Sequence, residues 1–486
     1  MKNLFGRKKH SGQILVQILI FASLATFFIG AFSGWAIFNL RAVKRQIARE
    51  EAFAIAEAGI EYYRWHLAHA PNDFSDGTGG PGPYVHTFYD KDANVVGQFS
   101  LEITAPPVGS TVVTIKSTGE SLNDPLAKRT IEAKLAIPSW AKYSVVANDF
   151  MRFGDGTEVF GPIHSNRGIR FDGLAHNTIT SGVASFDDPD HSGGQEFGVH
   201  THVNPVDPLP PSAVPNRPDV FLAGRQFPVA NVDFVGITAD LSSIKSDAIS
   251  SGRYFAHSGR MGYRILLKTD DTFDLFRVNN LMAAPSGCTN TQSQDGWGTW
   301  SIRPTNGESF IGSYAFPANG LIFVEDHVWV EGRIDGARLT IASGRFPDQE
   351  STRTSITINR DLAYTNYDGQ DAISLIAQKN INVGLNSEDN LIIDGALIAQ
   401  NGRVGRYYYP APSWLSSRCS PYHERDEVRL FGMIGTNERY GFAYTDGTGY
   451  DARIIVYDAN LLYSPPPSFP LTSDQYSVIS WKEVAN

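Results

Sequence analysis

The sequence predicts a mainly β protein that begins with one long α-helix. Residues 14–40 contain no charged side chain, and a helical spacing of apolar residues continues beyond them to about residue 68. The chain as a whole is rich in turn formers, with 45 glycines and 27 prolines among 486 residues, which favours short strands over long helices. A chain of this length is expected to contain two or three domains.

The N-terminal segment is predicted to be a basic leader, residues 1–12, followed by a transmembrane helix, residues 13–40. As a helix, residues 14–40 would be roughly 40 Å long, whereas the hydrocarbon core of a bilayer is about 30 Å thick. This run is longer than the apolar core of a signal peptide, and the helical pattern continues past it without a break. Removal of the whole segment as a signal peptide is therefore not expected.

Charge is distributed unevenly along the chain. Every charged residue within 1–49 is a lysine or arginine, although the net charge of the whole chain is −10, so the remainder is strongly acidic. A basic segment beside an apolar run, followed by an acidic body, is typical of a membrane anchor with a soluble ectodomain. Because an acidic body would repel phosphate groups, we expect no nucleic-acid partner.

The helix is predicted to become amphipathic after residue 40 and to end near Pro71. Residues 49–62 resemble the helix of PilX-type minor pilins, a group within the type IV pilins. The resemblance rests on Ala52 and Phe53 and on the run Ala56-Glu57-Ala58-Gly59, and with the leader it covers about residues 1–70. It implies a role in filament assembly for Ala52, Phe53, Glu57 and Gly59.

The same resemblance implies a processing site. Gly12, after the basic leader, resembles the residue that precedes a prepilin-peptidase cut, which would leave Gln13 as the mature N-terminus. An uncleaved single-pass anchor is the alternative.

One position departs from the pattern of major pilins. Counted from Gln13, Gln17 stands where those proteins carry a glutamate thought to neutralise the N-terminal ammonium of a neighbouring subunit within the membrane. Glutamine can accept a hydrogen bond but supplies no charge. Large K-type minor pseudopilins also lack this glutamate and are placed at the filament tip, so the resemblance implies a minor or tip subunit.

Residues 41–140 are predicted to combine the amphipathic half of the helix with a four-stranded antiparallel head like that of a pilin. A loop rich in glycine and proline, residues 76–83, separates the helix from four strand-like runs: 84–89, 96–104, 111–117 and 128–137. The last run alternates apolar and polar residues, as a half-buried strand does.

Beyond residue 140, internal repeats predict a parallel β-solenoid. Residues 151–156 are echoed by 169–173, and residues 161–169 resemble 395–404. Short apolar triplets between asparagine and glycine corners recur about every 18–22 residues, as in stacked coils. We assign a first solenoid part to 141–204 and the main part, with a C-terminal tail, to 316–486. An ordinary β-sandwich is the alternative.

An α+β insertion is predicted between the two solenoid parts, at residues 205–315. It opens with a proline-rich stretch and contains one helix at 240–250, followed by hairpin strands at 254–278.

No strong catalytic or metal-binding motif is present, so we expect neither enzymatic activity nor a cofactor. His191, His200 and His202 are weak metal candidates in a loop that also holds Asp187, Asp188 and Asp190, and an exposed polar loop is the preferred interpretation. Cys288 and Cys419 could form one disulfide or remain two free thiols. Tyr407, Tyr408, Tyr409 and Trp414 form either a contact surface or a structural lid.

These observations predict a minor type IV pilin-like component. We expect it in the cytoplasmic membrane as a single-pass protein with an extracytoplasmic C-terminal domain, and in an extracellular pilus if it is assembled there. The expected partners are membrane lipid, other pilin-like subunits, the pilus assembly machinery, and a surface glycan or protein. A stand-alone surface adhesin is one alternative, and a polysaccharide-active β-helix enzyme, suggested by fold analogy alone, is another.

Overall fold

The computed structural model describes residues 11–234, 237–414 and 416–485. Most of the basic leader, residues 1–10, therefore lies outside the described residues. The chain forms two compact units. Within the described residues, unit 1 contains the chain up to Ala105, Val113–Ala136 and the chain from Gln475, and unit 2 contains Pro106–Val112 and Ile137–Asp474.

Unit 1 is built on a single uninterrupted helix, α1, at Ser11–His69. The first half of α1 is exposed, and from Ala48 onward one face is buried. Within the apolar half, the hydroxyl groups of Ser23 and Thr26 donate hydrogen bonds to backbone carbonyls one turn earlier, so neither needs a partner outside the helix. The helix ends before Pro71, which cannot continue it.

A five-stranded antiparallel sheet completes unit 1. Its strands, in spatial order, are β1 (Tyr84–Tyr89), β2 (Val95–Thr104), β3 (Val113–Ser121), β4 (Asp124–Ala136) and β31 (Ser477–Val484). The buried face of α1 packs on this sheet, and the core includes Ile55, Tyr63, Leu101, Ile115 and Leu135.

The fifth strand corrects the sequence analysis, which predicted four strands in the head and placed the C-terminus in a tail of the 316–486 segment. Residues 477–484 instead pair with the outer edge of β4. An unpaired β4 would present a row of free backbone groups, and β31 removes that edge. Arg129 on β4 fixes the pairing through Glu483, with Nη2 2.6 Å from Oε2.

Unit 2 is mainly short strands with one long helix and the 3-10 turns Trp140–Lys142, Glu350–Thr352 and Ala459–Leu462. The strands before the helix are β5 (Val145–Ala147), β6 (Met151–Phe153), β7 (Thr157–Phe160), β8 (Ile163–Ser165), β9 (Ile169–Phe171), β10 (Leu174–Ala175), β11 (Ile179–Ser181), β12 (Ser185–Phe186), β13 (Glu196–Phe197), β14 (Val199–His200) and β15 (Arg225–Gln226). The helix α2 spans Ile237–Ser251.

The strands after α2 are β16 (Arg253–Phe255), β17 (Gly262–Leu267), β18 (Thr272–Val278), β19 (Glu308–Ala315), β20 (Leu321–Val324), β21 (Val328–Ile334), β22 (Arg338–Ser343), β23 (Ile356–Thr357), β24 (Leu362–Tyr364), β25 (Ala372–Ala377), β26 (Ile381–Val383), β27 (Asn390–Ala399), β28 (Val404–Arg406), β29 (Glu424–Thr436) and β30 (Gly449–Tyr457).

Ten of these strands form one continuous parallel ladder, in the spatial order β16, β20, β22, β25, β27, β29, β5, β8, β11, β15. The early strands of unit 2 therefore stack on the late ones, because β29 pairs with β5. The similar segments 161–169 and 395–404 contribute to this same ladder through β8 and β27. Neighbouring strands pair in parallel, which differs from the antiparallel pairing of the β-sandwich alternative.

A row of hydrogen-bonded asparagine side chains runs across the ends of three ladder strands. Asn437, Asn148 and Asn166 each follow a ladder strand, and their side-chain amides are joined in sequence by hydrogen bonds of 3.0 and 2.9 Å. At the end of the row, Asn166 bonds both the N–H and the carbonyl of Val232. Stacked amides of this kind satisfy one another only when the coils are in register.

The region predicted as an insertion contributes to both the parallel and the antiparallel parts of unit 2. Strands β17, β18 and β19 form an antiparallel meander, and β17 also pairs in parallel with β21. The helix expected at 240–250 is α2, whose residues Leu241, Ile244 and Ala248 are buried among apolar residues of the ladder strands.

Candidate functional site

The first half of α1 is an apolar surface without a partner among the described residues. The large side chains from Ile14 to Leu40 are exposed, with Phe21 at 71% and Phe38 at 70%. Among the described residues, α1 is the helix that is long and apolar enough to cross a membrane, and it lies near the N-terminus. An exposed apolar surface of this length requires lipid or other helices around it.

The predicted cleavage site and the position where major pilins carry a glutamate lie at the start of this surface. Gly12 and Gln13 belong to α1, and the side chains of Gln13 and Gln17 are exposed. They are four residues apart and so lie on the same side of the helix.

The residues of the PilX-like pattern have different environments. Ala52 and Gly59 are buried against the sheet of unit 1, Phe53 is half-buried with its ring 5.8 Å from that of Trp481, and Glu57 is exposed. A Cβ atom at Gly59 would overlap Ser117 and lie 2.9 Å from Phe99. The small residues of the pattern thus allow α1 to approach the sheet, and Glu57 is the member that faces outward.

Cys288 and Cys419 form a disulfide with their Cα atoms 4.7 Å apart, which decides between the two alternatives that the sequence left open. The bond lies in a small apolar cluster with Leu385, Tyr407 and Tyr409. Burial raises the pKa of Tyr407 to about 12, so this phenol stays protonated at neutral pH. Two of the four aromatic residues considered as a contact surface are therefore core residues.

The other two aromatic residues of that group are accessible. Trp414 is 92% exposed, and the hydroxyl of the half-buried Tyr408 donates a hydrogen bond of 2.6 Å to Asp446.

The three histidines singled out in the sequence are brought together at the end of β14. The ring centres of His191 and His202 are 4.3 Å apart, and those of His200 and His202 are 5.2 Å apart. Asp188 and Glu196 complete what we term the histidine cluster: Asp188, His191, Glu196, His200 and His202. Metal-ligating atoms of Asp188, His200 and His202 lie within 4.8 Å of one another, as do those of His191, Glu196 and His202.

The expectation of an exposed loop is wrong for part of this cluster. Asp188 and His200 are each 1% exposed, and Glu196 is 4% exposed, whereas His191 faces solvent. Glu196 was missed in the sequence because it stands five residues after His191 and four before His200, outside the group of aspartates in the loop. Only the fold of the loop brings His191 Nδ1 within 2.9 Å of its Oε1.

Backbone and charged groups hold the cluster in place. The Asp190 N–H donates to Asp188 Oδ1 at 3.0 Å, and the Asp188 N–H donates to Glu196 Oε2 at 3.1 Å. Arg170 on β9 lies beside β14, with Nη1 3.5 Å from Asp188 Oδ2 and Nε 2.7 Å from Asp172 Oδ2.

The electrostatic environment of the cluster acts differently on histidine and aspartate side chains. Burial lowers the pKa of His202, and the neighbouring Arg170 and His200 lower it further. Burial alone would raise the pKa of Asp188, but the His200 ring in its protonated form, the Asp190 N–H and Arg170 lower it, and the net direction is below its usual range. The cluster thus presents an ionised carboxylate beside imidazole rings.

No family model matches the chain, and no curated protein matches it. Among solved structures, it is similar to the crystal structure of the competence-associated pilin ComZ from Thermus thermophilus. The identity is 12%, the alignment covers 90% of this chain and 97% of that chain, and the TM-score is 0.32.

Proposed function

We propose that this protein is a minor type IV pilin-like subunit, anchored in the cytoplasmic membrane by α1, that displays unit 2 on the outer side for filament assembly and surface recognition. The observation that carries the proposal is the form of α1. One uninterrupted helix is apolar and exposed in its first half and is the packing partner of an antiparallel sheet in its second half. A plain membrane anchor does not require that its helix continue into the core of a folded unit.

Gln17 supports assignment to the minor class. Its side chain is exposed on the apolar half of α1, where a carboxylate would be needed to neutralise the terminal ammonium of a neighbouring subunit. A subunit without this charge joins a filament through apolar packing alone and is suited to a capping or initiating position.

The disulfide supports an extracytoplasmic position for unit 2. Thiols of cytoplasmic proteins are generally kept reduced, whereas disulfides persist on the outer side of the membrane. The accessible Trp414 offers a flat, amphipathic ring suited to contact with a glycan or protein. Recognition and assembly, rather than catalysis, are the proposed mechanism.

The first test is the mature N-terminus of the native protein, extracted from membranes and measured by mass spectrometry. We expect a chain that begins at Gln13 in cells with prepilin peptidase, and an uncleaved chain in cells without it. A Gly12→Leu variant should remain uncleaved in both. A native chain that keeps its leader in the presence of the peptidase would overturn the proposal in favour of a stand-alone anchored adhesin.

The second test is the location of the protein after pili are sheared from cells. We expect a small amount in the sheared filaments and the remainder in the membrane. If sheared filaments contain none while the membrane contains all of the protein, filament membership is wrong.

A further inference from the structure

The histidine cluster contains two buried polar atoms that face each other without a hydrogen bond. Asp188 Oδ2 and His200 Nε2 are 3.7 Å apart, and both residues are 1% exposed. Among the described residues neither atom has a hydrogen-bond partner, although Arg170 Nη1 forms an ion pair with Asp188 Oδ2 at 3.5 Å. A buried polar atom without a partner carries a free-energy cost of about 1–3 kcal/mol. Two such atoms at one place indicate that a group able to satisfy both belongs between them.

The other nitrogen of His200 determines what that group is. His200 Nδ1 lies 3.2 Å from the carbonyl oxygen of Phe197, an acceptor, so Nδ1 carries the proton and donates it there. In the neutral ring this leaves Nε2 with a lone pair directed at the Asp188 carboxylate. A histidine that donates one N–H to a backbone carbonyl and presents its other nitrogen to a carboxylate is oriented as metal ligands are.

The distance between the two atoms fits a metal ion better than a shared proton. An N–H···O hydrogen bond has a donor–acceptor distance of about 2.7–3.2 Å, which is shorter than the 3.7 Å observed. Two atoms bound to one zinc ion at about 2.0–2.2 Å lie roughly 3.3–3.6 Å apart in a tetrahedron. The observed separation therefore requires little movement to accept an ion.

We propose that Asp188, His200 and His202 bind a divalent transition-metal ion of the Zn²⁺ class. The three ligating atoms lie within 4.8 Å of one another. Two imidazoles and one carboxylate form a ligand set typical of zinc, and they leave a fourth coordination position for water or a further ligand. His191 is one candidate for that position, since its ring centre lies 4.3 Å from that of His202 and it is exposed at the outer side of the cluster.

Arg170 modulates this site. Its guanidinium lies 3.5 Å from Asp188 Oδ2, where it competes with a cation for the same carboxylate. Asp172 opposes part of this charge, because its Oδ2 accepts a hydrogen bond of 2.7 Å from Arg170 Nε. The site therefore binds a metal less tightly than the same ligands would without Arg170, and removing this charge should tighten binding.

The bound ion would fasten the loop that carries Asp188 to the end of β14. This role is independent of the proposed function, because the cluster lies wholly within unit 2 and includes no residue of α1 or of the head sheet. Failure of one proposal leaves the other unchanged.

The test is a titration of metal-stripped, tag-free full-length protein in detergent with Zn²⁺, followed by isothermal calorimetry and native mass spectrometry. We expect one equivalent to bind, and His200→Gln and His202→Gln each to weaken binding by roughly 100-fold or more. Arg170→Gln should tighten binding at least threefold. His176→Gln is the matched control, because His176 pairs with Glu158 outside the cluster and its loss should leave the affinity unchanged.

A spectroscopic measurement covers the case in which a ligand variant fails to fold. Co²⁺ added to the wild-type protein should give the visible absorption bands of a tetrahedral site, and Zn²⁺ should remove them. The proposal is wrong if the wild-type protein binds neither ion, or if the folded His200→Gln variant binds as tightly as the wild type. It is also wrong if ¹⁵N spectra show His200 doubly protonated at neutral pH in the presence of excess Zn²⁺.

Discussion

At the scale of single residues, one close contact in unit 1 is between two stretches of backbone. Gly119 on β3 lies directly against α1, and a Cβ atom there would overlap the carbonyl oxygen of Ala52 and lie 2.6 Å from the nitrogen of Ala56. Neither atom belongs to a flexible side chain, so neither can move without shifting the helix. The absence of a side chain at this position sets the spacing between α1 and the sheet.

Gly119→Ala is therefore expected to lower the free energy of unfolding of unit 1 by about 1–3 kcal/mol, the cost typical of overpacking. Hydrogen exchange of β3 in the full-length protein measures the change locally. Gly80→Ala is the control, since the nearest atom to its added Cβ would be 3.9 Å away. Equal exchange rates in the two variants would show that α1 can move away from β3 without a loss of stability, and the prediction would be wrong.

Gln17→Glu tests the missing charge within the proposed function. A carboxylate at this position can pair with the terminal ammonium of a neighbouring subunit in the apolar environment, so the fraction of protein recovered in sheared filaments should rise. Gln17→Met, similar in size and uncharged, should leave that fraction unchanged. A rise with both variants would indicate a packing effect rather than a charge effect.

At the scale of elements, two connections join parts of the chain that are distant in sequence. The disulfide joins Cys288 to Cys419 across 131 residues of unit 2, and β31 returns from the C-terminus to the edge of β4 in unit 1. Each connection restricts the movement of segments that are far apart in sequence. Both should therefore contribute to stability beyond their local contacts.

Replacement of both cysteines, Cys288→Ser with Cys419→Ser, should lower the free energy of unfolding of unit 2 by roughly 3–5 kcal/mol. A cross-link that closes so long a loop removes much conformational entropy from the unfolded chain. Denaturant titration measures the change, and a reductant should destabilise the wild-type protein by the same amount without affecting the double variant. If a reductant also destabilises the double variant, the loss of stability has a cause other than the disulfide.

A chain that ends at Tyr476 lacks β31 and should lose protection of its β4 amides in hydrogen exchange. These amides would face solvent instead of the pairing strand, and the exposed edge should promote aggregation. Exchange in β25 and β27 of unit 2 serves as the internal control and should not change. Full protection of β4 in the truncated chain would show that β31 is dispensable.

At the scale of the whole molecule, a buried histidine should make stability depend on pH. Burial lowers the pKa of His327 to about 4, while Asp326 opposes this and Arg345 adds to it. The Ser355 N–H donates to His327 Nδ1 at 3.0 Å, a bond that requires this nitrogen to be unprotonated. The folded protein therefore holds this ring neutral at a pH where the unfolded chain protonates it.

The sign of the effect follows from this difference. Between about pH 6.5 and 4 the unfolded chain binds a proton that the folded protein does not, so stability falls as the pH falls, by up to about 1.4 kcal/mol per pH unit. Denaturant titrations across this window measure the slope. His327→Gln should flatten it, and an unchanged slope in His327→Gln would assign the effect to other groups.

The sequence by itself determined the features that depend on local periodicity. The length of α1, its division into an exposed apolar half and a packed half, and the position of α2 all follow from spacings within a few turns of helix. The apolar triplets between asparagine and glycine corners also predicted a parallel solenoid, and that architecture stays a prediction.

The tertiary structure decided which distant segments meet. The stacking of β5 on β29, the pairing of β31 with β4, the disulfide and the burial of His200 beside Asp188 each depend on contacts between residues far apart or on the path of a loop. A strand's own sequence specifies its alternation but not its partner, since any extended backbone offers the same hydrogen-bonding groups. The choice of partner is made by packing and register across the whole unit.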